Sequence, residues 1–479
     1  MTRRNRQGRL CSKVRAVGKL LTQDNAVGQR QLLPPERVRR AVEAEGVVFR
    51  DCLFTPLVTI WTFLTQVLAP DGSCRNAVAS LLAFLAGSDN GKKNPGAPAC
   101  EPETGPYCKA RQRLPEKLVS RLARESGQEL HDRYPAGRLL GGRKVKIVDG
   151  STGSMPDTPE NQAAYPQPSS QKPGLGFPLA RYVVLMSLNC AAVLDLAIGA
   201  CSGKESGESA LFRTLMAGLE AGDVLLADRY YASYWMIALL LARGVDSLFR
   251  QHQLRKIDFR RGRRLGKDDH LITMPRPKKR PAWMDEATYQ RMPEELTVRE
   301  VRVRVDQRGF RVRSMTLVTT LLDARKYSTE EITRAFHFRW NIELDLRSIK
   351  QTLHMNVLRC KTPEMVRKEI WMHLLAYNLV RALMAEAARK EGIEPREVSF
   401  AGAVQTLNAF GPVLRLAKEE DLPRLYEILL RAMARHRVGD RPDRYEPRAV
   451  KRRVKPIALL HIPRAEAKKR LAKCGTATC

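Results

Sequence analysis

The region between residues 143 and 250 constrains the fold of this chain more than any other part. Its apolar and β-branched residues follow strand patterns first and then alternating helix and strand patterns. The order β-β-β-α-β-α-β is typical of an α/β domain with a mixed sheet and buried central strands. The predicted strands are 143–149, 181–190, 192–200, 223–228 and 246–250, and the predicted helices are 209–219 and 233–244.

Helical patterns flank this region, and a basic segment interrupts it. Between Arg250 and Arg280 there are 12 Lys and Arg residues against 3 Asp and Glu, and a strand pattern follows at 297–306. We therefore predict an α/β domain with a β-rich insertion, flanked by helical N- and C-terminal regions. The other predicted helices are 57–69, 76–87, 117–130, 329–350 and the strongly apolar, central 370–384.

Changes in pattern and charge divide the chain into successive segments. Seven Lys and Arg residues precede the first acidic residue, Asp24, and residues 431–479 hold 15 Lys and Arg against 4 Asp and Glu. Both ends of the chain are therefore basic. The predicted segments are a basic arm at 1–50, a helical region at 51–138, the α/β domain at 139–250 and 313–390, its insertion at 251–312, and a basic helical region at 391–479.

The net charge indicates a polyanionic partner. The 479 residues include 83 Lys and Arg against 51 Asp and Glu, which gives a net charge of +32. Nucleic acid is the usual partner of such a field, because phosphate contacts supply most non-specific affinity. No apolar run reaches ~18 residues, and no apolar signal-peptide core follows the N-terminal charges. We therefore expect no membrane association.

The sequence lacks the spacing of zinc and nucleotide sites. Its 10 cysteines form no CxxC pair, and Cys100 and Cys108 have no partners at zinc spacing. We expect reduced, mostly buried thiols. The stretch 199–209 departs from a phosphate-binding loop because Lys204 is followed by glutamate, so we expect no ATP site. Glu208 is expected in the first turn of the next helix.

Two aspartates close predicted central strands. Asp149 ends the strand at 143–149, and Asp228 ends the strand at 223–228. Strand ends near a change in strand order are where sites form in α/β sheets, although a single aspartate there is more often a turn or helix cap. With a glutamate from a later helix, the pair would form a site for two hard divalent cations, which suits phosphodiester cleavage.

The glutamate is Glu343, on the predicted helix 329–350. At about 100° per residue it shares a stripe about 60° wide with an aromatic residue and two cations, namely Phe336, Arg339 and Lys350. Cations beside a metal-bound carboxylate are suited to binding phosphate. Asp345 lies about 200° away from Glu343 and cannot share its role. A neighbouring apolar stripe, which would pack on the sheet, contains Ala335, Ile342, Leu346 and Ile349.

These residues resemble the motifs of DDE transposases of the RNase H-like superfamily, and most closely those of the insertion-sequence-four family of bacterial cut-and-paste elements. The last motif of that family is Tyr, two residues, Arg, three residues, Glu, six residues, Lys. This chain has that spacing with Phe336, Arg339, Glu343 and Lys350. The departure is Phe336 in place of tyrosine, which keeps the ring and loses the hydroxyl.

Other segments of the chain carry the same resemblance, which covers about residues 55–390. "VDGS" (148–151) and "LLADRYYAS" (225–233) resemble the two aspartate motifs of the family. "YCKARQRLP" (107–115) is similar to a family segment ahead of the catalytic domain. The resemblance implies an RNase H-like fold for the α/β domain, a DNA-binding role for the helical region at 51–138, and a β-rich insertion before Glu343.

The resemblance also implies a mechanism. Asp149, Asp228 and Glu343 would hold two Mg²⁺ ions, with Mn²⁺ as a substitute, and the enzyme would cut its element's inverted-repeat ends and join the 3′ ends to target DNA. The best-known relatives pass through a hairpin. The implied partner is double-stranded DNA, bound by a homodimer in a synaptic complex. The implied location is the bacterial cytoplasm, at the nucleoid.

Five residues are expected to contact DNA. Arg339 and Lys350 would bind phosphates near the scissile bond. We expect Trp283, in the insertion, to stack on a flipped base, since extruded bases rest on aromatic rings. Trp340 is expected in the core instead. The full set of predicted DNA contacts is Arg339, Lys350, Phe336, Arg229 and Trp283.

Two other functions fit the same residues. An RNase H-like nuclease would use the same carboxylates, but it would need neither basic helical flanks nor the 115 positions from Asp228 to Glu343. A catalytically inactive DNA-binding protein from a decayed element would keep the charge. The presence of all three carboxylates favours the transposase over that alternative.

Overall fold

A mixed sheet forms the centre of the protein in the computed structural model, which describes residues 33–49, 52–87, 102–134, 139–203, 205–304, 314–418, 420–439 and 460–473. Most of the predicted basic arm and much of the basic C-terminal tract lie outside the described residues. The strands are β1 Val145–Ser154, β2 Leu179–Ser187, β3 Val193–Ala200, β4 Val224–Ala227, β5 Asp246–Arg250, β6 Arg263–Gly266, β7 Asp269–Pro275, β8 Glu295–Arg304 and β9 Ser314–Thr319.

The helices lie before, between and after these strands. The predicted helical flanks are confirmed, and none of the helices in the described part of the chain is long and apolar enough to span a bilayer. The helices are α1 Pro35–Ala44, α2 Pro56–Leu68, α3 Cys74–Gly87, α4 Gly105–Arg113, α5 Glu116–Arg133, α6 Pro159–Ala164, α7 Glu208–Leu215, α8 Tyr234–Leu241, α9 Glu286–Arg291, α10 Thr329–His337, α11 Trp340–Arg347, α12 Pro363–Lys390, α13 Phe400–Leu416, α14 Leu422–Arg435 and α15 Arg464–Lys473.

The strand order shows the fold class. The described strands form one sheet in the order β3-β2-β1-β4-β5-β9-β8-β7-β6. β1, β4 and β5 are parallel, and β2 runs antiparallel to both β1 and β3. This arrangement is RNase H-like and confirms the predicted α/β fold class. The strands β6, β7 and β8 lie in the predicted insertion and extend the same sheet through β9. The exact segment boundaries remain a prediction.

Hydrophobic cores lie on both faces of the sheet because side chains alternate along each strand. Ile147 of β1 belongs to the core with α5 and α12, whereas Val148 belongs to the core with α7 and α8. Helix α12 contains the predicted apolar segment, and Tyr377 at its centre is fully buried. The site residues of β1 therefore lie on a strand that is packed from both sides.

The expectation that the cysteines are mostly buried is wrong for the described residues. All six described cysteines are free thiols, but only Cys190 and Cys360 are buried. The partly exposed ones are Cys52, Cys74, Cys108 and Cys201. Cys74 begins α3 and Cys201 follows β3, positions at the ends of elements where side chains remain near solvent.

Burial of His373 in α12 predicts sensitivity to acid. Burial, together with the charges of His354 and Arg359, lowers the pKa of His373 to about 3. Below about pH 6.5 the unfolded chain therefore binds a proton that the folded chain does not. Stability should fall with pH by about 1.4 kcal/mol per unit because of this one residue. We expect His373→Gln to remove that part of the slope, measured by urea unfolding at several pH values between 6.5 and 5. An unchanged slope would contradict the assignment.

Candidate active site

Asp149 lies within β1, and Asp228 directly follows β4, the parallel neighbour of β1 inside the sheet. β1 and β4 pair through Ile147 and Leu226, and each aspartate follows its strand's paired residue by two positions. Adjacent strands lie about 4.8 Å apart, so this register brings the two positions close together. Neither strand ends at its aspartate as predicted: β4 ends one residue earlier, at Ala227, and β1 continues to Ser154.

Both aspartates are anchored by the peptide that follows them. The backbone N–H of Gly150 donates to Asp149 Oδ1 at 2.8 Å, and the N–H of Arg229 donates to Asp228 Oδ1 at 2.6 Å. Asp228 thereby caps a short 3₁₀ helix at Arg229–Tyr231, which was the alternative interpretation of a strand-end aspartate. This cap uses only Oδ1, so Oδ2 remains for another ligand, and capping is compatible with a role in the site.

Glu343 reaches the same region from α11. Arg339 donates from Nη2 to Glu343 Oε1 at 3.1 Å, and its Nη1 lies 3.9 Å from Asp149 Oδ2. One guanidinium therefore lies between the first aspartate and the glutamate. The Arg339 side chain is only 14% exposed, whereas that of Glu343 is 41% exposed. The glutamate lies at the open side of the site.

The predicted single helix 329–350 is wrong, because the segment is divided into α10, α11 and a π-helical turn at Ser348–Thr352. The N–H of Arg339 bonds the carbonyl of Phe336 at 3.0 Å, a tighter turn that separates α10 from α11. Lys350, in the π turn, donates to Ser151 Oγ at 3.3 Å. Arg339, Glu343 and Lys350 still converge on β1 because the apolar stripe that docks these helices is buried as predicted.

Carboxylates nearby make the environment of Asp149 unfavourable for a negative charge. Burial raises the pKa of Asp149 to about 6, and the charges of Glu208 and Glu343 act in the same direction. The Gly150 N–H and the Arg339 guanidinium oppose this shift. A carboxylate whose ionised form is so poorly compensated by the protein is a favourable place for a cation.

The family profile described as "Transposase DDE domain" matches residues 140–379, about half of the chain, and that range contains both aspartates and Glu343. The chain belongs to the DDE transposase family. Within that family, the chain is similar to a transposase of the insertion sequence IS4. It is 29% identical over 433 residues to the transposase InsG for insertion sequence element IS4 of Escherichia coli strain K12, which covers 88% of this chain and 91% of InsG.

Two further comparisons are shorter or more distant. The transposase for insertion sequence element IS421 of Escherichia coli is 38% identical over 64 residues, which is 13% of this chain and 17% of that protein. Among solved structures, the piggyBac transposase synaptic complex with hairpin DNA aligns with a TM-score of 0.41 and 8% identity, covering 86% of this chain and 81% of that chain. The family assignment rests on the profile match and InsG.

DDE transposases act on DNA and generally use divalent metals. Within the described ranges, no group of three or more His, Cys, Asp and Glu side chains is arranged to hold a metal ion. Glu343 pairs instead with the guanidinium of Arg339.

Two aromatic residues of the transposase do not lie where the sequence predicted. Phe336, a predicted DNA contact, is only 8% exposed, and the Arg339 guanidinium lies 5.9 Å from its ring centre. Its ring packs in the core and supports Arg339 instead of facing solvent. Trp340, predicted in the core, is 50% exposed. Trp340 begins α11 and lies outside the buried stripe of Ile342 and Leu346, which packs against the core.

The other two predicted DNA contacts have partners within the protein. Trp283 is 36% exposed, and the guanidinium of Arg213 from α7 lies 4.0 Å from its ring centre. Arg229 donates from Nη1 to Gln253 Oε1 at 2.6 Å. Trp283 therefore lies near α7, and Arg229 lies near Gln253 of the insertion. The contacts of both residues with DNA remain predictions.

Glu208 and Tyr231 are site residues that sequence reasoning missed. Glu208 begins α7, which confirms its predicted place in a first helical turn, but its side chain also packs against Gly150 beside Asp149. The charges of Glu208, Asp149 and Asp228 all raise the pKa of Tyr231, after a larger effect of burial. The one available signal was the glycine directly after a strand aspartate, a residue type that permits close approach.

Proposed function

We propose that this transposase binds the inverted-repeat ends of its insertion element, cleaves the DNA there and joins the 3′ ends to target DNA. The proposal is supported chiefly by the approach of Asp149, Asp228 and Glu343, with Arg339 and Lys350, to the middle of β1. We further propose that two copies of the chain hold the two ends in a synaptic complex, in the bacterial cytoplasm at the nucleoid.

Divalent metal ions fit this site by donor chemistry. Magnesium prefers carboxylate oxygens and keeps several waters, so Asp149, Asp228 and Glu343 would suffice as its protein ligands. The buried hydroxyl of Tyr231, which has no hydrogen-bond partner among the described residues, is available to the polar groups of such a site. When bound, two Mg²⁺ ions would help to generate the attacking hydroxide and would stabilise the leaving oxygen.

Arg339 and Lys350 are suited to hold the phosphates of the DNA. Arg339 pairs with Glu343 in the protein alone, so ligation of Glu343 to metal would release a guanidinium within the site. A guanidinium binds phosphate through two parallel hydrogen bonds and so fixes its orientation. Lys350 contacts Ser151 of β1, and its ammonium group would act as a point charge on a DNA phosphate.

We expect Lys350→Met to weaken binding to the terminal-repeat duplex at all sequences and to reduce the salt dependence of log K by about 1, as the loss of one phosphate contact predicts. Fluorescence anisotropy at several salt concentrations, in EDTA, would measure this. Lys144→Met is the matched control, since Lys144 lies just before β1, at the opposite end of the strand, and pairs with Asp132. Equal salt slopes for Lys350→Met and the unsubstituted protein would remove Lys350 from the interface.

The test of the proposed function uses the full chain and a plasmid that carries the element's own ends. We expect release of the element fragment with Mg²⁺, no release in EDTA, and no release by Glu343→Gln. Glu220→Gln, an exposed glutamate paired with Lys144, should cleave normally. Cleavage without joining would favour a nuclease. Binding of the ends without cleavage in Mg²⁺ or Mn²⁺ would favour an inactive DNA-binding protein.

A further inference from the structure

Glu208 lies against β1 on the face of the sheet opposite α11. Helix α7 packs with Leu211 and Phe212 in the core that contains Val148, whereas α11 packs in the core that contains Ile147. A Cβ added to Gly150 would lie 2.3 Å from Cδ and 2.5 Å from Oε1 of Glu208. The carboxyl group of Glu208 therefore fills the space that any larger residue after Asp149 would occupy.

The carboxylate of Glu208 is uncompensated within the described part of the chain, where it makes no hydrogen bond or ion pair. Glu208 is partly buried beside β1, so its carboxylate is less hydrated than it would be at the surface. A partly buried carboxylate next to a second carboxylate at Asp149 is a favourable place for a cation.

Tyr231 supplies an independent sign that a polar ligand belongs here. Its side chain is 0% exposed, its ring packs edge-on against Phe212, and its hydroxyl has no hydrogen-bond partner among the described residues. The negative charges of Glu208, Asp149 and Asp228 all act on this hydroxyl. A buried hydroxyl without a partner is costly, which favours a ligand or ordered water between it and the carboxylates.

β4 ends before β1 does, next to these carboxylates. β4 stops at Ala227, whereas β1 continues to Ser154, so the edge of β1 beyond Asp149 is no longer covered by β4. Asp149 can reach this gap from the α11 face and Glu208 from the α7 face. Carboxylates thus approach β1 from the two faces of the sheet, and their charges act on Tyr231.

Charge balance also favours a fourth carboxylate. Asp149, Asp228 and Glu343 carry three negative charges, one of which Arg339 offsets in the structure. Two divalent cations would bring four positive charges. An additional carboxylate reduces the repulsion between the two cations and raises the affinity for the second.

We propose that Glu208 is a fourth carboxylate of the metal site, that it binds divalent cation together with Asp149 and Asp228, and that Gly150 is required because its lack of a side chain admits Glu208. This inference rests on the proposed function, since it assigns a residue to the same metal site. It goes beyond the three-carboxylate set on which that function depends.

The test measures Mn²⁺ binding to the DNA-free full chain by isothermal titration calorimetry. We expect Glu208→Gln to weaken Mn²⁺ binding by at least about tenfold, the range found when groups around a metal are removed. Gly150→Ala should have a similar effect, because the new Cβ displaces the flexible end of Glu208. The double variant Gly150→Ala/Glu208→Gln should bind no more weakly than the weaker single variant, because both act through one side chain. Asp149→Asn is the reference for a lost ligand, and Glu220→Gln is the control.

The outcomes separate this inference from the proposed function. Unchanged affinity in Glu208→Gln, with binding lost in Asp149→Asn, would overturn the role of Glu208 and leave the proposed function intact. Full additivity in the double variant would overturn the link between Gly150 and Glu208. Unchanged affinity in Asp149→Asn, or no Mn²⁺ binding by the unsubstituted protein, would overturn the metal site itself and the inference with it. Thermal melts of each variant would confirm that it is folded.

Discussion

Replacement of Asp228 by asparagine is expected to reduce the rate of DNA cleavage by about a thousandfold or more. The substitution removes the negative charge beside Asp149 while keeping the size of the side chain. A metal ligand contributes several kcal/mol to the transition state, and each 1.36 kcal/mol corresponds to a factor of about ten in rate. Asparagine is as good a helix cap as aspartate, so the hydrogen bond from the Arg229 N–H should persist.

Single-turnover cleavage of a labelled terminal-repeat substrate would measure this effect. Binding of the same duplex in EDTA and the melting temperature should both stay close to those of the unsubstituted protein, which separates a catalytic from a structural loss. Asp228→Ala, which also removes the cap, should lose cleavage and some stability. If Asp228→Asn cleaved at more than about a tenth of the normal rate, Asp228 would be only a cap.

Replacement of Asp345 by alanine is expected to destabilise the protein by about 3–5 kcal/mol, the usual effect of removing one partner from a buried ion pair. The Asp345 side chain is 2% exposed and accepts hydrogen bonds from Arg381 at 2.5 Å and from Arg396 at 3.0 Å. Arg381 belongs to the central helix α12, so Asp345 joins α11 to the core. Without it, two guanidinium groups would remain near the core without their carboxylate.

Urea unfolding at neutral pH would measure the change in free energy. Glu343→Gln is the matched control, because Glu343 lies two positions earlier on the same helix but is 41% exposed. It should alter stability by no more than about 0.5 kcal/mol while abolishing cleavage. The two acidic residues of α11 should therefore separate stability from catalysis. Loss of less than about 1 kcal/mol in Asp345→Ala would show that the two arginines find other partners or solvent.

The amino-acid sequence determined the strands β1 to β5 and β8 and the candidate carboxylates of this transposase, but not β6, β7 and β9. β5 coincides with its predicted bounds at Asp246–Arg250, and β4 ends one residue before Asp228, the residue predicted to close it. These features follow from local patterns, since buried strands are short apolar runs and their ends are marked by polar residues. The separation of Glu343 from Asp345 was also predictable, because helical periodicity places them on different faces.

Only the tertiary structure decided how these elements meet. The division of the segment 329–350 at Arg339, the π turn that carries Lys350, and the exposure of Trp340 all depend on how the chain docks on β1. The approach of Glu208 to Gly150 joins positions far apart in the chain and on different elements. Local periodicity reports which face of an element is apolar, whereas contacts between distant residues depend on the packing of whole elements, and no short stretch of sequence encodes that packing.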